Sequence, residues 1–193
     1  VMETAIQKAL ESSGDPEAAA KAKEIVNNMD EEDKQTANAI IEKYADFLYN
    51  LVKNTEKLIG EDGSTAFPND FLDWPTNDTK DAPEGVAALC KIACERAVEL
   101  LKIAGKDATK AEHAAAKLSK RKHPELSFKQ AEAMRYLAYK NNGETVGKAL
   151  TAGSAKGMST FMSYYILTAV TQIMGAKNAL DMMKEYYGGM LDK

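Results

Sequence analysis

The sequence predicts an all-α protein built from antiparallel helix pairs. Three observations lead there. Ala, Leu, Lys, Glu and Met dominate the 193 residues, and all are strong helix formers. Apolar residues recur at the three- and four-residue spacing of amphipathic helices, and no stretch alternates in the manner of a strand. The chain is 45 % hydrophobic but only 7 % aromatic, enough for the core of one medium-sized domain or part of a larger one.

Residues 4–11 form a short helical pattern ended by Gly14. Asp15-Pro16 then supplies an N-cap followed by a proline at the first helical position, which predicts a second helix to about Asn28. Asn28, Asp30 and Asp33 mark a break. Beyond it, Ala37, Ile40, Ile41, Tyr44, Phe47, Leu48, Leu51, Val52 and Leu58 trace the inner face of a long helix that Gly60 stops. Glu61-Asp62-Gly63 reads as a turn, and from there to Pro83 the chain is rich in Pro, Asn, Asp and Thr. A loop of roughly twenty residues inside a helical domain tends to be functional. This one carries Phe67, Phe71 and Trp74, the chain's only tryptophan.

Pro83 opens a helix to about residue 104, with Val86, Leu89, Cys90, Ala93, Ala97, Leu100 and Leu101 inward, and Gly105 closes it. Asp107 caps a helix over 109–122 that His123-Pro124 ends, and Ser127 caps another over 128–140 that Asn141-Asn142-Gly143 stops. A short segment over 144–150 leads into Gly153-Ser154-Ala155-Lys156-Gly157. Helices over 158–174 and 177–187 follow, and Gly188-Gly189 breaks the last one directly after two tyrosines. Alternately short and long connections, without a heptad or close repeat, fit helix pairs set side by side in an α/α toroid or solenoid better than a compact bundle.

The net charge is −4, from 29 acidic and 25 basic side chains interleaved along the chain. A nucleic-acid binder concentrates Lys and Arg on one face. The one basic cluster, Lys117, Lys120, Arg121 and Lys122 with His123, follows an Ala-rich stretch and reads as a helix C-terminus favoured by the dipole. No apolar run approaches the roughly 20 residues of a membrane span, and the start of the chain at Val1 has no charged-then-apolar signal pattern. Neither nucleic acid nor membrane is therefore expected as a partner. Cys90 and Cys94 share a helix face at i, i+4 and read as buried thiols; no further ligands follow at metal-site spacing, so no metal is expected. His113 and His123, like Glu42, Glu56, Glu84, Glu95 and Glu99, read as solvated side chains.

Two segments look like sites. In FLDWPT, Asp73 offers a carboxylate for hydroxyls and Trp74 an indole face for C–H stacking, a pairing that suits a sugar ring. Equally, Trp74 could anchor its loop while Asp73 or Asp78 caps a turn. In GSAKGMSTFMSYY, small residues before Ser159 and Thr160 could present backbone amides at a helix start, although a tight, capped start fits better. No Lys-Ser/Thr pair follows the glycines, so this is not a phosphate loop.

Taken in order, FLDWPT, DAPEGVAALCKIACERAVELLKIAG, GMSTFMSYYILTAV and ALDMMKEYYGGMLD resemble the later part of the catalytic domain of α-L-rhamnosidase-like (six-hairpin) glycoside hydrolases. These are bacterial enzymes built on an (α/α)6 toroid. The resemblance covers about Tyr44 to Lys193, and residues 1–33 are of uncertain assignment. It implies a glycosidase acting on rhamnose-like glycans by inversion, one carboxyl protonating the leaving oxygen and another activating water. In that family the acid lies upstream of the Asp-Trp loop, and the base lies a few residues beyond the motif that here reads Gly188-Gly189-Met190-Leu191-Asp192. Both are expected outside this chain, which alone is expected to be inactive. Asp73 and Trp74 match sugar-contacting residues by position, and Phe71, Ser159 and Thr160 complete the predicted substrate-binding set. The implied partner is carbohydrate, the implied location periplasmic or extracellular, and no cofactor is implied. An incomplete toroid would leave apolar faces uncovered, so self-association or contact with the rest of the domain is also expected. The rival reading is a non-catalytic helical binding or scaffolding module.

Overall fold

A computed structural model of the chain describes Glu24 and residues 30–191. The helices expected over 4–11 and 16–28 lie outside the described residues. Among the described residues there are seven α-helices: α1 Glu31–Glu56, α2 Ala82–Ile103, α3 Thr109–Leu118, α4 Lys129–Tyr139, α5 Gly143–Thr151, α6 Ser163–Met174 and α7 Ala176–Leu191. A 3-10 turn spans Trp74–Thr76, and the described residues hold no strand beyond the isolated bridge Ile59–Thr65. The all-α class is thus as expected. The chain forms two compact units, Val1–Lys57 with Cys94–Ala116, and Leu58–Ala93 with Lys117–Lys193.

In the first unit, Asp30 caps α1 by accepting from the Asp33 amide at 2.8 Å, and Glu31, Glu32 and Asp33 sit favourably at the positive end of the helix dipole. The predicted inner face of α1 is split. Val52, with Leu48 and Tyr49, packs on Ala97 and Leu101 of α2 and on Ala108 and Ala111 at the start of α3. Ile40, Tyr44, Phe47 and Leu51 are exposed instead. The apolar arc of α1 is wider than the strip its described neighbours cover. Glu56, expected to be solvated, is buried and reaches Lys110 at 3.5 Å.

Helix α2 is apolar on more of its circumference than it buries. Ala87, Ala88, Cys94, Ala97 and Leu101 are buried, whereas Leu89, Ala93 and Leu100 face outward, against expectation. Cys94 is buried and Cys90 half-buried. Gly105 closes α2 at φ +65°, with the Lys106 amide reaching back to the Leu101 carbonyl at 2.8 Å. The Asp107 carboxylate then accepts from the Thr109 amide at 2.9 Å and its hydroxyl at 2.6 Å, which holds its carboxyl below the usual range.

In the second unit, α3 ends at Leu118, short of the predicted residue 122. The cause is tertiary. A Cβ on Gly63 would lie 2.7 Å from the Arg121 amide nitrogen and 2.8 Å from the Lys117 carbonyl oxygen, so the 60–65 turn rests directly on the backbone where the helix unwinds. Arg121 is turned to Glu84 through bonds of 2.7 and 3.1 Å and to the Gly63 carbonyl at 2.9 Å. Of the basic cluster only Lys117 occupies the last helical turn, and it serves the Ile59 carbonyl and Glu61. The dipole accounts for that one residue, while Arg121 is an ion-pair partner. Glu84, expected to be solvated, is largely covered by that pair.

Helices α4 to α7 pack around α6, which touches each of the other three. Their shared core includes Met134, Leu150, Met162, Ile166 and Val170. Ser127 does not cap α4, whose N-cap Phe128 makes no side-chain capping bond. Asp81 does the work from a distant loop, accepting from the Ser127 amide at 2.5 Å and the Phe128 amide at 2.9 Å. Helix α7 runs through Gly188-Gly189 to Leu191 rather than breaking there. Glycine inside a helix costs only about 1 kcal/mol per residue, so its presence alone does not end one.

Candidate functional site

The loop between α1 and α2 is braced by its own short side chains. Asp73 takes an extended backbone, and its Oδ1 accepts from the Trp74 amide at 2.9 Å, so the turn begins on a capped residue with Pro75 at a position that suits its fixed φ. The fully buried Thr76 donates its hydroxyl to the Asp73 carbonyl at 2.9 Å, and Thr79 donates to the Thr76 carbonyl at 2.6 Å. Leu72 is buried against Gly85, where a Cβ would meet its Cδ2 at 2.2 Å, so a larger residue there would make the Leu72 side chain shift. Between buried Leu72 and buried Thr76 stands Trp74, which is 79 % exposed. Phe71 lies edge-on to it, with ring centroids 5.2 Å apart.

The second predicted segment meets this loop. Ser159 donates its hydroxyl to Asp73 Oδ2 across 86 residues of sequence. Gln130, on the first turn of α4, donates to the Gly157 carbonyl at 3.0 Å and to Ser159 Oγ at 3.3 Å. Lys129 beside it donates to the Ser154 carbonyl at 2.6 Å. These bonds hold 154–159 out of helix, which is why α6 begins at Ser163 and not at residue 158. Thr160 Oγ1 lies 3.1 Å from the Tyr186 hydroxyl, and Ser163 Oγ 2.7 Å from that of Tyr187. Phe161 and Tyr164 in the same stretch are 70 % and 69 % exposed.

The structure therefore joins Phe71, Asp73 and Trp74 to Ser159 and Thr160 in one place. Ser159 and Thr160 bond through their hydroxyls, and the predicted nest of amides at a helix start is not what they form. The Asp-Trp loop combines both sequence readings: Asp73 does cap its turn, while Trp74 is largely exposed and lies edge-on to Phe71. Asp73 is buried with both oxygens engaged, and each oxygen keeps a second lone pair for a hydroxyl that reaches it. Gln130 joins it through Ser159, and Tyr186 and Tyr187 join the same stretch through Thr160 and Ser163, in which Phe161 and Tyr164 are exposed. Sequence spacing gave no signal for Gln130, while the four aromatics lie within the motifs quoted above. Exposed rings beside hydroxyls form an amphipathic surface that can stack on an apolar face and hydrogen-bond at its edge.

Other chemistry-bearing groups lie elsewhere. His113 is exposed. His123 lies against Tyr139 with ring centroids 4.3 Å apart, and burial there, helped by Arg135, lowers its pKa from the usual 6.5. An open cleft of about 770 Å³ is lined by Asp62, Ser64, Glu84 and Lys120 through Pro124, and none of the predicted site residues borders it. Among the described residues no group of three or more His, Cys, Asp or Glu is placed to hold a metal ion, and no helix is long and apolar enough to cross a membrane. Compared with models of known families, with curated proteins and with solved structures, the chain matches none.

Proposed function

We propose that this chain forms the sugar-contacting wall of a glycoside hydrolase of the α-L-rhamnosidase-like class, with its helix pairs contributing to an (α/α)6 toroid and Trp74 as the stacking face. One observation carries the reading. Two of the motifs that bear the resemblance are tied together by the Ser159–Asp73 hydrogen bond, and the joint leaves a tryptophan exposed on a braced loop. A large ring held out by a rigid backbone loses little freedom when a sugar stacks on it. Thr160 and the tyrosine hydroxyls lie on the segment that Ser159 ties to this loop and would supply edge partners. The acid and base of such an enzyme are assigned to none of these residues.

Because Trp74 is the only tryptophan, its fluorescence reports on this loop alone. Titration with methyl α-L-rhamnoside and rhamnose-containing oligosaccharides is expected to give a saturable change, with calorimetric binding weakened by roughly 30-fold in Trp74→Ala. An absent response to every rhamnosyl ligand, or undiminished binding by the variant, would overturn the proposal. Hydrolysis of an aryl rhamnoside is assayed alongside. Hydrolysis that disappears in Asp73→Ala would instead put the catalytic carboxylate on this loop.

A further inference from the structure

The geometry points to Gln130 as the positioning residue of the Trp74 loop, acting by fixing the direction of a hydrogen-bond relay that runs through Ser159 and Asp73. The inference rests on Trp74 being the ligand-contacting group proposed above, but its own test needs no ligand.

Gln130 is fully buried on the first turn of α4. Its amide has two N–H bonds and two acceptors for them, the Gly157 carbonyl at 3.0 Å and Ser159 Oγ at 3.3 Å. A carbonyl can only accept, so the Gly157 oxygen fixes which end of the amide faces it and sets the NH2 group toward Ser159. The Ser159 hydroxyl has a single proton. With a lone pair occupied by the Gln130 donor, that proton is free to go to Asp73 Oδ2, which can only accept when ionised. Asp73 Oδ1 in turn receives the Trp74 amide at 2.9 Å, at the residue that begins the 3-10 turn. The two side-chain bonds thus donate the same way, from α4 to the carboxylate, which accepts the Trp74 amide from the opposite side and holds the turn from which the exposed indole projects. Bonds in such a chain strengthen one another in a buried setting. The side-chain oxygen of Gln130 has no donor among the described residues, so the bonds its amide makes are on the donating side.

A glutamate at this position would keep the shape and remove the donors. Ionised, it would compete with Asp73 for the Ser159 proton and reverse the relay. A methionine keeps the length and offers no N–H at all.

The test uses the tryptophan band of near-ultraviolet circular dichroism, which measures how firmly the single indole is held in an asymmetric setting. In Gln130→Met and in Ser159→Ala the band is expected to fall to roughly half or less, because each breaks the same series of bonds. The far-ultraviolet helix signal should be retained, Ser159→Thr should restore the band by returning the hydroxyl, and the double variant should lose no more than either single one. Gln130→Glu should lose the band at neutral pH. If any Gln130 variant fails to fold, by loss of the far-ultraviolet signal, Ser159→Ala and its Thr rescue decide alone. An unchanged band in the folded variants, or losses that add in the double variant, would overturn the relay. Rhamnoside binding is read separately in the same samples. Wild-type protein that binds no sugar while the band behaves as expected sinks the sugar reading and leaves the relay standing. Sugar binding with an unchanged band does the reverse.

Discussion

Asp73 and Asp81 lie eight positions apart on one loop, both are buried, and each accepts two hydrogen bonds within the fold. Their arrangements differ in two ways. Asp81 gathers both donors, the Ser127 and Phe128 amides, on a single oxygen and leaves Oδ1 without a partner among the described residues. Asp73 divides its donors, one on each oxygen. The residue beside Asp81 is buried Ala82, whereas the residue beside Asp73 is Trp74, exposed to solvent. Asp81 thus docks a helix end. Asp73 aims a side chain outward. Burial of a carboxylate does not by itself mark a site; what its bonds leave exposed is the better guide.

Substitutions can break this contrast. The largest effect is expected for Asp81→Ala, which strips both amides at the start of α4 of their acceptor and should cost about 2–4 kcal/mol in chemical denaturation. Trp74→Ala should leave the denaturation midpoint nearly unchanged but weaken rhamnoside binding by roughly 30-fold, about 2 kcal/mol, in calorimetry. If it destabilised the fold as Asp81→Ala does, Trp74 would be a structural anchor after all. Asn substitutions sharpen the comparison further. An amide at position 73 can keep only one of two acceptors, so Asp73→Asn should cost about 1–2 kcal/mol and dull the Trp74 signal. At position 81 the single working oxygen survives, and Asp81→Asn should cost less than its counterpart, about 1 kcal/mol or below. Equal costs would mean that the division of donors between oxygens is immaterial.

The smallest effect concerns pH. Burial against Tyr139 and repulsion from Arg135 lower the folded pKa of His123 below its ordinary 6.5. The unfolded chain then binds the proton more readily, so this contribution to stability is complete above pH 6.5 and declines as the pH falls through that value. Melting temperatures measured on either side should show a shallow loss on acidification that His123→Gln abolishes.

Much of the fold is legible in the residue pattern. The starts of α1 and α3 follow from Asp30 and Asp107, whose capping bonds span two or three residues and so are local events. The end of α2 follows from Gly105 for the same reason. Element ends imposed from a distance are not legible. Leu118 ends α3 because the Gly63 turn lies against it, α6 starts late because Gln130 and Asp73 hold the stretch before it, and Asp81 replaces the local cap that Ser127 promised. The outward turn of Phe47 and Leu89 is of the same kind. Periodicity shows that a helix has an apolar arc, but the neighbours decide how much of it is covered.

The candidate site divides along the same line. FLDWPT stands out in the sequence because a lone tryptophan and an aspartate in a proline-bearing loop are chemically unusual among helix formers, and Asp73 capping Trp74 is a contact between adjacent residues. By itself the sequence therefore determined the all-α class, most helices, and Asp73 and Trp74 as residues of interest. Only the tertiary structure decided that Ser159 serves Asp73, that Gln130 directs the serine, and that Trp74 faces solvent. Those outcomes depend on hydrogen bonds between residues dozens of positions apart, and such pairings leave no period or spacing in the chain that makes them.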